Sequence, residues 1–134
     1  MRVLFGLILI AAFTSASRAN ECDNAMDQST MNACADQSFK KADAELNAVY
    51  KKLQSRKNDD AEAAKLLIAA ERAWVLFRDA ECEFDAADNL GGSIYPMVYS
   101  GCLERLTQAR IDQLNRYLRC EEGEVACSVP ASEK

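Results

Sequence analysis

The chain has 134 residues, with 16 Lys or Arg, 21 Asp or Glu, no His and a formal net charge of −5. That length suits one domain with or without a tail, and an apolar fraction of 49% argues against wholesale disorder. Net acidity argues against a nucleic-acid backbone binder, and the missing histidine removes Ser-His-Asp and Cys-His nucleophiles and histidine-containing zinc sites.

Arg2 precedes an apolar run from Val3 to Phe13, the small residues Thr14 to Ser17 follow, and Ser17 and Ala19 sit two apart as the small positions before a cut. This order predicts a secretory signal peptide over residues 1–19, cleaved after Ala19. The run of 11 residues is short for a membrane span, which needs roughly 20. Glu21 directly before Cys22 is wrong for a lipoprotein box, so no stable membrane insertion is expected after cleavage. Cleavage removes Arg2 and Arg18 and no acid, which moves the net charge from −5 to −7. Periplasmic or secreted localisation follows.

The first predicted helix starts near Ser29 or Thr30 and runs to about Lys57. Met31, Ala35, Phe39, Ala42, Leu46, Val49 and Leu53 form one apolar stripe along it. Asp36 with Lys40, and Lys41 with Glu45, have the spacing of exposed ion pairs. A second helix is predicted from about Asp60 to Asp88, with Ala63, Leu67, Ala70, Trp74, Phe77 and Phe84 continuing the core period. Asn89, Gly91 and Gly92 stop it. The third helix begins near Pro96, which suits a first helical turn, and decays near Leu118 to Cys120. Cys102, Leu106, Ala109, Leu114 and Tyr117 mark its buried side, with Val98 and Leu103 near the edge. The predicted fold is all-α, an elongated antiparallel three-helix bundle stapled by disulfides. The domain covers residues 20–120, and residues 121–134 form an irregular C-terminal tail.

Six cysteines, Cys22, Cys34, Cys82, Cys102, Cys120 and Cys127, survive signal cleavage. An even count in an exported chain reads as three disulfides. A hairpin centred near residues 92 and 93 sets Cys82 level with Cys102, and Cys120 with Cys127 would tie the tail. The hairpin near residue 58 sets Cys34 level with Cys82 equally well, so the spacing leaves both schemes open. No CxxC motif and no close metal-ligand spacing occur, and no cofactor is expected.

The residues also carry a family pattern. Thr30-Met31-Asn32-Ala33-Cys34-Ala35 is followed by Ala42-Asp43, Leu46-Asn47 and Tyr50. Glu71-Arg72-Ala73-Trp74, Phe77-Arg78-Asp79-Ala80 and Cys82 come next, then Gly91-Gly92-Ser93, Cys102, Leu106-Thr107 and Arg110. Over about residues 22–118 the chain resembles the lysozyme inhibitor LprI-like N-terminal domain family, a bacterial exported domain. Glu71 stands where the family usually has Gln. The resemblance implies a small helical envelope protein with sequentially paired cysteines. It implies lysozyme, or another basic envelope protein, as partner, and it carries no defined inhibitory residue onto this chain. The Cys120–Cys127 tail lies outside the pattern.

Among the pattern residues, Asp43, Arg72, Arg78, Asp79 and Arg110 are candidates for a structural polar network, with Arg78 reaching from the second helix to Asp43 on the first. Trp74 and Phe77 are assigned to core packing. Gly91, Gly92, Ser93, Tyr95 and Tyr99 form the candidate partner-binding loop. An anion nest at the glycines lacks the Walker and Rossmann patterns. Asp79 and Glu83 have one-face spacing, but acids are abundant and three packed helices offer no evident sugar cleft. The expected function is an exported binding protein that inhibits lysozyme. The alternatives are a structural or stress-related envelope protein and, far behind, a small hydrolase.

Overall fold

The computed structural model of the protein describes residues 21–57 and 59–129. The signal peptide expected over residues 1–19, and the tail beyond Val129, lie outside the described residues. Helix α1 spans Gln28–Arg56, α2 spans Ala61–Asp85 and α3 spans Tyr95–Arg119, with a 3₁₀ turn at Ala87–Asn89 after α2. Among the described residues there is no strand.

Local chemistry sets the helix starts. Asp27 is extended and accepts hydrogen bonds from the Thr30 backbone N–H at 2.9 Å and the Thr30 hydroxyl at 2.7 Å. The cap therefore lies slightly before the predicted start. Asp60 accepts from the Ala63 N–H at 3.0 Å and starts α2. Each carboxylate satisfies a donor that the first helical turn leaves unpaired. Helix α3 lacks a side-chain cap and carries Pro96 in its first turn, where the missing N–H costs nothing.

Consecutive helices run antiparallel, so α1 and α3 run parallel and form the most closely packed pair. Gln28 meets Met97 near their starts, and Arg56 donates to the Leu118 carbonyl at 2.9 Å near their ends. The larger core cluster comprises Leu46, Leu53, Ile111, Leu114 and Val129, with Leu67 and Trp74 of α2 packed against it. Leu53 and Leu114 are wholly enclosed, and each contributes about 1.5–3 kcal/mol by leaving water. A second cluster surrounds Cys82, Cys102 and Leu103.

The disulfides are Cys22–Cys34, Cys82–Cys102 and Cys120–Cys127, with Cα separations of 5.6, 5.5 and 5.4 Å. The Cys34–Cys82 alternative is thereby set aside. The second bridge staples α2 to α3, the first ties the N-terminal segment to α1, and the third closes the tail.

Several core assignments need correction. Phe77 and Phe84 are 54% and 78% exposed. The inward row of α2 is Leu67, Glu71, Trp74, Arg78 and Cys82, and its two charged members hid it from a search for apolar spacing. On α3, Ala109 is exposed, while Thr107, Arg110 and Ile111 are buried beside Leu103 and Leu114. The tail is irregular, but it returns to the bundle and inserts Val129 into the main core.

Candidate functional site

Two arrangements gather the predicted polar and loop residues. The first is an internal network across all three helices. Arg78 of α2 is buried and donates from Nη1 to Asp43 Oδ1 on α1 at 3.2 Å. Its Nε and Nη2 meet Asp79 Oδ1 at 2.9 and 2.8 Å. Arg110 of α3 is also buried and donates from Nε and Nη2 to Glu71 Oε2 at 3.0 and 2.8 Å, and from Nη1 to Gln113 at 2.6 Å. Trp74 lies near both cations: the guanidinium carbons of Arg78 and Arg110 are 5.2 and 5.7 Å from its ring centroid. Arg78 also lies 5.2 Å from the Phe39 centroid. These distances are those of cation–π contacts.

This network brings together four of the five residues singled out for it. Arg72 does not join. It precedes Trp74 by two residues, and positions so spaced point to different sides of a helix. It lines an open groove with Tyr50, Gln54, Ile68, Glu71, Val75 and Leu76. Burial pushes the Tyr50 hydroxyl above the usual phenol range, the Glu71 charge adds to this, and the Arg72 charge opposes it. Sequence spacing missed Glu71 and Gln113. The signal available for Glu71 was its place three residues before Trp74 and seven before Arg78, on the same helical row.

The second arrangement is the α2–α3 turn. Gly91 adopts φ +78°, the left-handed region that favours glycine. A Cβ at Gly92 would lie 3.2 Å from the Asn89 carbonyl oxygen. Asn32 of α1 donates to the Ser93 carbonyl at 2.9 Å, which pins the turn to the first helix. Tyr95 and Tyr99 stack with centroids 5.8 Å apart and planes inclined by 9°. Tyr99 packs on the Cys82–Cys102 cluster. Burial raises its hydroxyl above the usual range, and Asp79 and Glu83 add to the shift. The N–H groups of Gly92 and Tyr95 already donate to the carbonyls of Asn89 and Gly92. An anion would therefore find these donors occupied and acids around it.

The turn presents acid and apolar surface together. Residues 79–88 hold five acids and no base. Leu90 beyond them is 70% exposed, and Ile94 is also on the surface. Two cations are brought close: Arg105 lies 3.0 Å from Asp85, and Arg78 lies 2.8 Å from Asp79. Asp79, half of the suspected carboxylate pair, is bonded to Arg78. Among the described residues there is no cluster of three or more His, Cys, Asp or Glu able to hold a metal ion. Among them, too, no helix is long and apolar enough to cross a membrane.

Comparison with known proteins places this geometry among relatives. The family described as Lysozyme inhibitor LprI matches residues 19–114. The uncharacterized protein R02472 of Rhizobium meliloti (strain 1021) is 34% identical over 132 residues, spanning 87% of this chain and 95% of the relative. The uncharacterized protein YecT of Escherichia coli (strain K12) is 27% identical over 113 residues, covering 75% and 70% of the two chains. The crystal structure of a DUF1311 family protein from Pseudomonas putida KT2440 superposes with a TM-score of 0.61 at 28% identity. It covers 68% of this chain and 92% of that one.

Proposed function

Because this chain belongs to the LprI lysozyme-inhibitor family, we propose that it is an exported binding protein that uses its α2–α3 turn to occlude a basic, lysozyme-like partner. The observation that carries this reading is the acidic end of α2 together with the turn after it: residues 79–88 hold five acids, four on α2 and Asp88 in the turn, and exposed Leu90 and Ile94 follow. Acidic charge steers a basic protein into encounter, and apolar side chains then give a desolvated contact. The Cys82–Cys102 bridge and the Asn32–Ser93 hydrogen bond hold the turn in shape, so little ordering entropy is lost on binding. The signal peptide expected over residues 1–19 and three disulfides suit a periplasmic or secreted site of action. The family is of the inhibitor type rather than an enzyme family, and the buried charged network serves to orient the helices.

Lysozyme-driven clearing of a cell-wall suspension tests this function. The oxidised protein is expected to slow clearing and to saturate at a defined stoichiometry, with the effect persisting at about 150 mM salt, where long-range attraction is largely screened. Undiminished clearing at saturating protein would favour the structural envelope role instead.

A further inference from the structure

Helix α2 buries only Arg78 and Cys82 among its 25 residues. Yet Leu66, Leu76, Phe77 and Phe84 are between 54% and 78% exposed. Leu66, Phe77 and Phe84 are joined along the surface by Ala70, Ala73 and Ala80, all exposed. From 66 to 84 these six positions advance by alternating steps of four and three. That repeat keeps one stripe turned toward a facing helix. At 3.6 residues per turn the stripe is rotated by about 100° from the inward row of Leu67, Trp74 and Arg78, so most of it is left uncovered, with Leu66 and Ala70 at its start also bordering a groove walled by Tyr117, Ser128 and Val129.

We propose that this stripe is a homodimer seam, covered by α2 of a second copy running antiparallel. The stripe is its own complement. About the level of residue 75, Leu66 mirrors Phe84, Ala70 mirrors Ala80, and Ala73 mirrors Phe77. A two-fold axis there sets Phe77 against the partner's Ala73, large into small, and Ala70 against the partner's Ala80, where the helices approach most closely. On one flank Leu76 meets its own symmetry mate. On that flank, too, Lys65 faces the partner's Glu83. Among the described residues Lys65 is otherwise held only by a 3.6 Å contact with Glu62 in which both side chains are highly exposed. With roughly 150–250 Å² per aromatic side chain, the four large residues offer on the order of 500 Å² per copy. The pair removes about 1,000 Å² in all, the level at which a specific interface begins, and the expected affinity is micromolar. The seam leaves Leu90, Ile94 and Asp88 free but takes up Glu83, one of the acids at the end of α2, and the mass measurement below reads it without any lysozyme present.

Sedimentation equilibrium of the oxidised protein from about 1 to 500 µM tests the seam. The weight-average mass is expected to rise toward twice that of one chain. Ala73→Glu and Phe77→Glu are expected to weaken dimerisation at least tenfold while leaving the helical circular dichroism unchanged. Ala48→Glu, at an exposed alanine on α1, is the matched control and keeps the dimer. Lys65→Glu should weaken the dimer, and adding Glu83→Lys should restore it, which reads out the antiparallel register. A monomer at every concentration, a trimer or larger assembly, or an Ala73→Glu dimer as tight as the parent would overturn the proposal.

Discussion

Arg110 donates from both Nε and Nη2 to one carboxylate oxygen of Glu71, at 3.0 and 2.8 Å, and so locks α3 to α2 beneath the ring of Trp74. Both side chains are nearly closed off from water. Removing one partner strands the other charge in the bundle. Glu71→Ala is expected to cost about 3 kcal/mol, as measured by urea unfolding. Glu71→Gln keeps an acceptor for the guanidinium and should cost about 1 kcal/mol. Equal losses for the two variants would mean that the carboxylate charge, absent from both, carries the whole effect and that the acceptor kept in Glu71→Gln adds nothing.

Thr107 presents the opposite case. Its Oγ1 is buried and has no hydrogen-bond partner among the described residues. Thr107→Val keeps the branched shape and removes the unpaired hydroxyl, so stability should rise by about 1 kcal/mol. Calorimetric melting checks this, and a lower Tm would mean that the hydroxyl is satisfied in solution.

Much of the fold was legible in the sequence because it rests on periodicity and on breakers. The apolar row from Phe39 to Leu53, the Asn89–Gly92 stop and Pro96 each act locally, and the three helices follow from them. The inward face of α2 was harder to read because it mixes Trp74 with Glu71 and Arg78. Charges are assigned outward by default, and exposed Phe77 and Phe84 supplied a competing apolar row. Arg78 and Asp43 were legible as partners, since a single buried cation between two helices calls for an acid. Glu71 and Gln113 were not, because their contact depends on the rotation of α3 against α2. The return of the tail was hidden as well: a lone Val129 in an irregular segment has no period to reveal it.

The disulfides should contribute unequally. Cys82 and Cys102 close the longest loop, with a sequence separation of 20 against 7 for Cys120 and Cys127. Chain entropy favours the longer loop, at about 3.3 against 2.5 kcal/mol. Both of its cysteines also lie in the core. Replacing each pair by Ala and following denaturant unfolding by circular dichroism should show the larger loss for Cys82/Cys102. The Cys120/Cys127 variant should still lose stability, because it frees the segment that carries Val129 into the core. A larger loss from that tail pair would make the tail the principal staple.

The helix caps give an acid-side signature. The Thr30 hydroxyl and N–H lower the pKa of Asp27, and the Ala63 N–H lowers that of Asp60, from an ordinary value of 3.8. A lowered folded-state value means stability that is present above the unfolded-state pKa and is lost as pH falls through the folded one. The urea midpoint should therefore drop below about pH 4, and less steeply in Asp27→Asn and Asp60→Asn, whose caps do not titrate. Identical slopes in parent and variants would remove the caps as a source of acid sensitivity.

The central claim is that the α2–α3 turn makes the functional contact. Calorimetric titration of the oxidised protein with a lysozyme at about 150 mM salt, for the parent and for Asp88→Lys/Leu90→Ser, tests it most directly. Both substituted side chains are exposed, so helicity and Tm should not change. The account predicts saturable binding by the parent and at least a tenfold loss of affinity in the variant. Equal affinity for parent and variant, or no binding by the parent, would contradict it.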